Sequence, residues 1–200
     1  EMGVIESPIL LTSTLNVHLV ADAALEWALS RDPEIGVSTW GPSPVVAECS
    51  DFYLNDVRGR AVRAEHVFAA LENASDGPVA EGGVGGGTGM SCCEFKGGIG
   101  TASRVLPDEV GGFTVGALVM SNFGRREHLL VDGVPVGRAL KDWPPLEGSS
   151  DPKSSIIIVI GTDAPVNSRQ LERMAVRAGA GLAPLAAAGA LPVLGAAEAH

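Results

Sequence analysis

Apolar residues recur along this chain with two different periods. SPILLTSTLNV (7–17) opens on an apolar run and closes in polar turn chemistry, which reads as a strand entering a turn. VADAALEWALSR (20–31) places Val20, Ala24, Trp27 and Ala28 at helical spacing, with Leu25 and Leu29 widening the face. Asp32-Pro33 ends that helix. PVVAE (44–48) reads as a short strand, and AEHVFAALENA (64–74) as a second amphipathic helix with Val67, Phe68 and Leu71 inward. FTVGALVMSNF (113–123) is a strand long enough to cross a sheet, and HLLVDGVPVG (128–137) predicts a hairpin turning at Asp132-Gly133. KDWPPLEGSSDPKSS (141–155) is an exposed loop by composition, followed by a buried strand, IIIVIGT (156–162). Asp163 is expected to N-cap a last helix, with Pro165 near its first turn, running through Leu171, Met174, Ala178 and Leu182. Periodic repeats are absent, and the mixture of strands and helices predicts a layered α/β or α+β architecture.

Composition narrows the partners. The chain has 200 residues, 46% of them hydrophobic, enough for one domain with a sizeable core. Its net charge is −10 with no cluster of Lys or Arg, which disfavours nucleic acid and anionic membrane surfaces as partners. The stretch 178–197 is uncharged and reaches membrane-span length, but it is dominated by Ala and Gly and holds Pro184 and Pro192, so it inserts weakly. Glu1 opens the sequence without a signal-peptide pattern, and a cytoplasmic location is expected. Cys49, Cys92 and Cys93 form no CxxC, and His18, His66, His128 and His200 are scattered. Free thiols in a reducing compartment are expected, and no metal site or cofactor.

Four segments hold candidate chemistry. The run EGGVGGGTGMSCCEFKGGIGTASR (81–104) invites a nucleotide-binding reading, but Gly83-x-Gly85 is followed by Thr88 and Gly85-x-Gly87 by Met90 where a third glycine belongs. Two readings stay open: backbone that turns tightly or approaches another backbone, and exposed N–H groups that stabilise an anion. Ser155 abuts the start of the 156–162 strand. It is either a turn residue or, if the chain is cut just before it, a nucleophile whose own α-amine takes the Oγ proton near neutral pH. Asn122 ends the 113–121 apolar strand and is either a turn residue or a donor to developing negative charge. DFYLNDVRGR (51–60) is either a turn with Asx caps or a pocket wall at a strand end.

In order along the chain, PVVAECSDFYLNDVRGR, AEHVFAALENA, GPVAEGGVGGGTGMSCCEFKGGIGTASR, VGALVMSNFGRR, DGVPVG and SIIIVIGTDAP resemble the DmpA/BapA family, the L-aminopeptidase/D-esterase-amidases and β-aminopeptidases. The resemblance runs from about residue 3 to about residue 183. It implies a four-layer αββα sandwich of the N-terminal nucleophile hydrolase type, here incomplete at both ends. It also implies self-cleavage between Ser154 and Ser155, with Ser155 as the nucleophile and Asn122 as the oxyanion donor. A pocket aromatic maps near Trp40, and the position that helps hold the substrate amine maps onto Ser50, with Tyr53 nearby. Relatives carry Tyr or Glu at the Ser50 position, and Gly or Asn where Ser154 stands.

The expected function is therefore a serine aminopeptidase or amidase releasing N-terminal residues from short peptides, amides or esters. No cofactor is expected, and a homo-oligomer is. The rival expectation is a catalytically inactive, truncated relative keeping the central part of the fold. Residues 1–183 are expected to form the hydrolase domain, and the Ala/Gly/Pro-rich tail 184–200 to be a frameshifted or miscalled end.

Overall fold

The computed structural model describes residues 4–144 and 155–182. Ser154, the loop before it from 145, and the tail 184–200 lie outside the described residues. The chain begins with a strand–helix–strand crossover: β1 (Ile9–Ser13), α1 (Val17–Arg31) and β2 (Val45–Cys49), with β1 and β2 paired in parallel. Parallel neighbours need such a long connection, and the helix supplies it. α1 turns Val20, Ala23 and Ala24 inward, and α2 (Ala64–Glu72) turns in Val67; Leu10 of β1 and Val46 of β2 pack against this cluster. The inward face of α1 is thus centred on small alanines, which let the helix lie close. Leu29, expected at its edge, is left 46% exposed.

After α2 come the short antiparallel pair β3 (Ser91–Cys92) and β4 (Phe95–Lys96). Then β5 (Gly98–Val105), β6 (Thr114–Asn122) and β7 (Ser155–Thr162) form an antiparallel sheet with β6 at its centre. A short helix, α3 (Val136–Ala139), lies between β6 and β7, and α4 (Ser168–Ala178) follows β7 and contacts it. Met120 pairs with Ile99 on one side and Ile157 on the other. Strand side chains alternate between faces, so these three share one. That face meets Cys49, Met90 and Leu11 in a second core, between the two sheets. The helix pair, the two-stranded sheet and the three-stranded sheet therefore stack in that order, in the α/β class.

Three local expectations are corrected. β5 lies inside the Gly-rich stretch, where the residue pattern predicts no strand; every residue from Thr101 to Val105 faces solvent, so its apolar signal is short. The hairpin at 128–137 shrinks to a single bridge, Val131 to Val134, around Asp132 and Gly133 at φ 50° and 76°, and the chain then turns into α3. The last helix is capped by Asn167, whose side chain accepts from Gln170 N–H, while Asp163 instead accepts from Thr114 N–H at 2.7 Å and ties the end of β7 to the start of β6.

The glycines of 82–98 serve close backbone packing. A Cβ on Gly98, at φ 152°, would stand 2.0 Å from the Gly82 carbonyl oxygen, and one on Gly87 would stand 2.7 Å from the same oxygen. Lys96 then uses its ammonium on this loop: Nζ donates to the carbonyls of Gly87 (3.0 Å), Met90 (3.1 Å) and Gly97 (2.6 Å). A cation shared among three loop carbonyls holds the turn together, and the tight-turn reading of the glycines is the one this packing favours.

Candidate active site

Ser155 is the first residue of β7 and Asn122 the last of β6, and the register sets them opposite each other. They occupy the same face as Ile157, two residues after Ser155, and Met120, two residues before Asn122, so both are aimed between the sheets. On the other side β2 ends at Cys49, and the next backbone N–H, that of Ser50, donates to Ser155 Oγ at 3.2 Å. Asn122 Nδ2 stands 3.5 Å from the same oxygen. Two donors from two different sheets thus converge on one hydroxyl.

The orientation of Asn122 is set from behind. Its Oδ1 accepts the Ser91 backbone N–H at 2.9 Å and faces the Ser91 hydroxyl at 3.4 Å. With the oxygen end occupied, the amide nitrogen must face Ser155. Asn122 is only 6% exposed, so this orientation is held in a nearly dry setting where a donor acts strongly on charge. At 3.5 Å from Oγ the amide is at the outer edge of hydrogen-bond range. It remains available to a second oxygen placed beside Oγ.

Cys49 supplies a thiol next to this serine. It is fully buried, and its Sγ donates to the Met120 carbonyl oxygen at 3.6 Å, beside Ser155. Burial pushes its pKa up, against a smaller opposing effect of the Ser155 contact, so the thiol stays protonated and neutral. It packs beneath the hydroxyl as an apolar neighbour, and its own nucleophilicity is suppressed.

Asp51, one residue beyond Ser50, is 5% exposed; Oδ2 accepts from Asn55 Nδ2 at 2.6 Å. Gly89 lies against it so closely that a Cβ there would meet the Asp51 Cβ at 2.6 Å. The Gly-rich loop therefore braces both walls of the site: Gly89 against Asp51, and Ser91 against Asn122.

Of the residues singled out in the sequence, Ser155, Asn122 and Ser50 are brought together. Tyr53 is half-buried in the turn after Ser50, its ring edge-on to Phe52 with centroids 5.8 Å apart. Trp40 lies in the loop ahead of β2 and is 94% exposed, packed against almost nothing in the described structure. Two contributors escape a reading by residue type. The Ser50 contact is made by a backbone N–H, which residue type does not signal. Ser91 lies inside the Gly-rich run, and its N–H holds the Asn122 side chain rather than an anion.

The full sequence matches Peptidase family S58 over residues 1–191. It is 47% identical over 192 residues to the beta-peptidyl aminopeptidase BapA of Sphingosinicella xenopeptidilytica, covering 91% of this chain and 48% of that protein. To the BapA of Sphingosinicella microcystinivorans it is 43% identical over 202 residues, covering 94% and 50%. Among solved structures, a Burkholderia sp. beta-aminopeptidase superposes with a TM-score of 0.79 at 44% identity, covering 95% of this chain and 56% of that one. The L-aminopeptidase D-Ala-esterase/amidase of Ochrobactrum anthropi, described as a variant of the Ntn hydrolase fold, superposes with a TM-score of 0.78 at 41% identity, covering 87% and 47%. This chain spans about half the length of the relatives it matches. With the motifs from β2 to β7 in order and a match across nearly the whole sequence, the chain belongs to Peptidase family S58, the DmpA/BapA family.

Proposed function

We propose that this chain carries the nucleophile and oxyanion donor of a serine aminopeptidase acting on the N-terminal residue of short peptides, amides or esters. The observation that carries the reading is the convergence of Ser50 N–H and Asn122 Nδ2 on Ser155 Oγ at the head of β7. A cut between Ser154 and Ser155 frees the Ser155 α-amine. That amine, with an ordinary pKa of ~7.7–8, takes the Oγ proton as Oγ attacks the substrate carbonyl. The attacked oxygen becomes negative beside Oγ, where Asn122 Nδ2 stands ready as donor. The leaving amine takes the proton back, and water resolves the acyl-enzyme by the same route in reverse. Ser50 fixes the serine rotamer through its N–H and lines the amine side, with Tyr53 in the turn beside it on the pocket wall. A net charge of −10 favours substrates that present a free cationic terminus.

Intact mass before and after purification tests the cut. Two fragments separated between residues 154 and 155, and a single uncleaved chain for Ser155→Ala, are the expected result. A wild-type chain that stays whole and leaves aminoacyl p-nitroanilides untouched favours the inactive relative instead.

A further inference from the structure

Cys92 and Cys93 are adjacent, and the Ser155 chemistry uses neither. Cys92 closes β3 and pairs with Phe95, and Cys93 with Glu94 forms the two-residue turn into β4. Both turn residues lie in the left-handed region, at φ 50° and 61°. The two thiols lie close enough to influence each other's ionisation. Cys92 is half-buried and reachable, whereas Cys93 is 2% exposed.

Two adjacent thiols have three possible uses. A disulfide is disfavoured, because adjacent α-carbons stand ~3.8 Å apart and disulfides usually span ~4.4–6.8 Å. A four-coordinate metal ion is disfavoured too, because among the described residues no group of three or more His, Cys, Asp and Glu side chains gathers. A trivalent thiophile whose third valence is its own organic group needs two thiols and nothing else, and soft thiolates suit it.

We propose that Cys92 and Cys93 form a chelating dithiol site for trivalent organoarsenicals, placed where its occupation disturbs the strand end carrying Asn122. With an arsenoxide, two As–S bonds form, the As–O double bond and two S–H bonds break, and the oxygen leaves with both protons as water. No oxidant or reductant is consumed. Cys92 offers the entry, since its thiol is held down to about 7 by the Cys93 hydrogen bond and is partly ionised at neutral pH. Cys93 closes the chelate.

The coupling runs through the hairpin. Cys93 N–H donates to the Phe123 carbonyl at 2.8 Å, and Ser91 N–H donates to Asn122 Oδ1 at 2.9 Å. The Cys93 thiol also packs on Gly124, where a Cβ would stand 3.1 Å from Sγ. Residues 91–93 therefore clasp 122–124, and drawing the two sulfurs onto one atom moves the clasp. The dithiol site is independent of the aminopeptidase reading; only its consequence for catalysis rests on that reading.

Phenylarsine oxide is the probe, with intact-protein mass as the readout. The full chain is expected to retain one adduct in excess glutathione and to lose it to 1,2-ethanedithiol. Cys49→Ser is expected to behave like wild type, while Cys92→Ser and Cys93→Ser each release the adduct to glutathione ~10²-fold more readily, the gain a chelate provides. In wild type, bound probe is expected to protect Cys92 from iodoacetamide, which needs no variant. Hydrogen exchange over 91–97 and 121–124 is expected to quicken on binding, whether or not the chain is active. An adduct that glutathione strips from wild type, one that persists in Cys93→Ser, an unprotected Cys92, or exchange left unchanged in both segments overturns the proposal.

Discussion

Asn122 has two ends with different duties. Its oxygen is tied to Ser91 and its nitrogen is turned towards Ser155, so in the proposed reaction the donor is oriented in advance. Removing the amide while leaving Ser91 and Ser155 in place is expected to lower kcat by ~10²–10³-fold, the usual cost of losing one oxyanion donor, with KM changed little. Asn122→Ala assayed on an aminoacyl p-nitroanilide checks this, and kcat within a few-fold of wild type refutes the assignment. Cys92 makes a separate prediction at the same scale. Its pKa is lowered from 9.0 to about 7, first through the Cys93 hydrogen bond and then through Ser121 and the Phe123 backbone, with burial opposing. The folded value lies below the unfolded one, so the associated stabilisation is present above pH 9 and is lost as pH falls through 7. Iodoacetamide labelling of Cys92 is expected to rise with an inflection near 7, moving upward in Cys93→Ala. An inflection that stays put in the variant removes Cys93 as the cause.

At the scale of elements, β5 separates two roles for glycine within three residues. A Cβ on Gly98 would strike the Gly82 carbonyl, whereas a Cβ on Gly100 meets nothing within 4 Å. Gly98→Ala is expected to cost at least ~2 kcal/mol through backbone displacement, and Gly100→Ala to stay within ~0.5 kcal/mol. Urea unfolding of the two variants decides it, and equal losses would mean that the contact is not what this glycine serves. The same strand shows where the sequence pattern stops being legible. α1 and α2 are readable because burial on one face forces a period into the residues, and β6 and β7 because each is a continuous apolar run of strand length. β5 runs along the sheet edge with small and polar residues, so no period betrays it, and its glycines mask it further. The cap of α4 is hidden for a different reason. Asp163 and Asn167 are both good caps, and the choice between them is made by the β6 backbone: Thr114 N–H claims Asp163.

Across the whole molecule, the serine at the head of β7 is meaningful only because β6 and β2 arrive from different parts of the chain. Ser155 and Asn122 can be singled out from their positions at strand ends and from family motifs. Their meeting depends on the eight-residue register of β6 and β7, and on a Ser50 N–H that comes from the other sheet. The same arrangement governs whether the two pieces stay together after a cut at 154–155. β7 is paired along its length with β6, from Asn122–Ser155 to Val115–Thr162. Ile157 packs in the core between the sheets, and Thr162 Oγ1 donates to the Thr114 carbonyl at 2.7 Å. Each of these contacts joins the two fragments and none uses the 154–155 peptide itself, so cleaving it removes one covalent link and leaves the ladder and core intact. The fragments 1–154 and 155–200 are therefore expected to co-elute on size exclusion in native buffer and to separate only in denaturant. Thr162→Val, which removes the far tie of β7, is expected to lower the urea concentration at which they part, by the ~1 kcal/mol typical of one hydrogen bond. Fragments that separate in native buffer would mean that β7 is held by its covalent link rather than by the sheet. The head of β7 could then not hold Ser155 against Asn122 after the proposed cut.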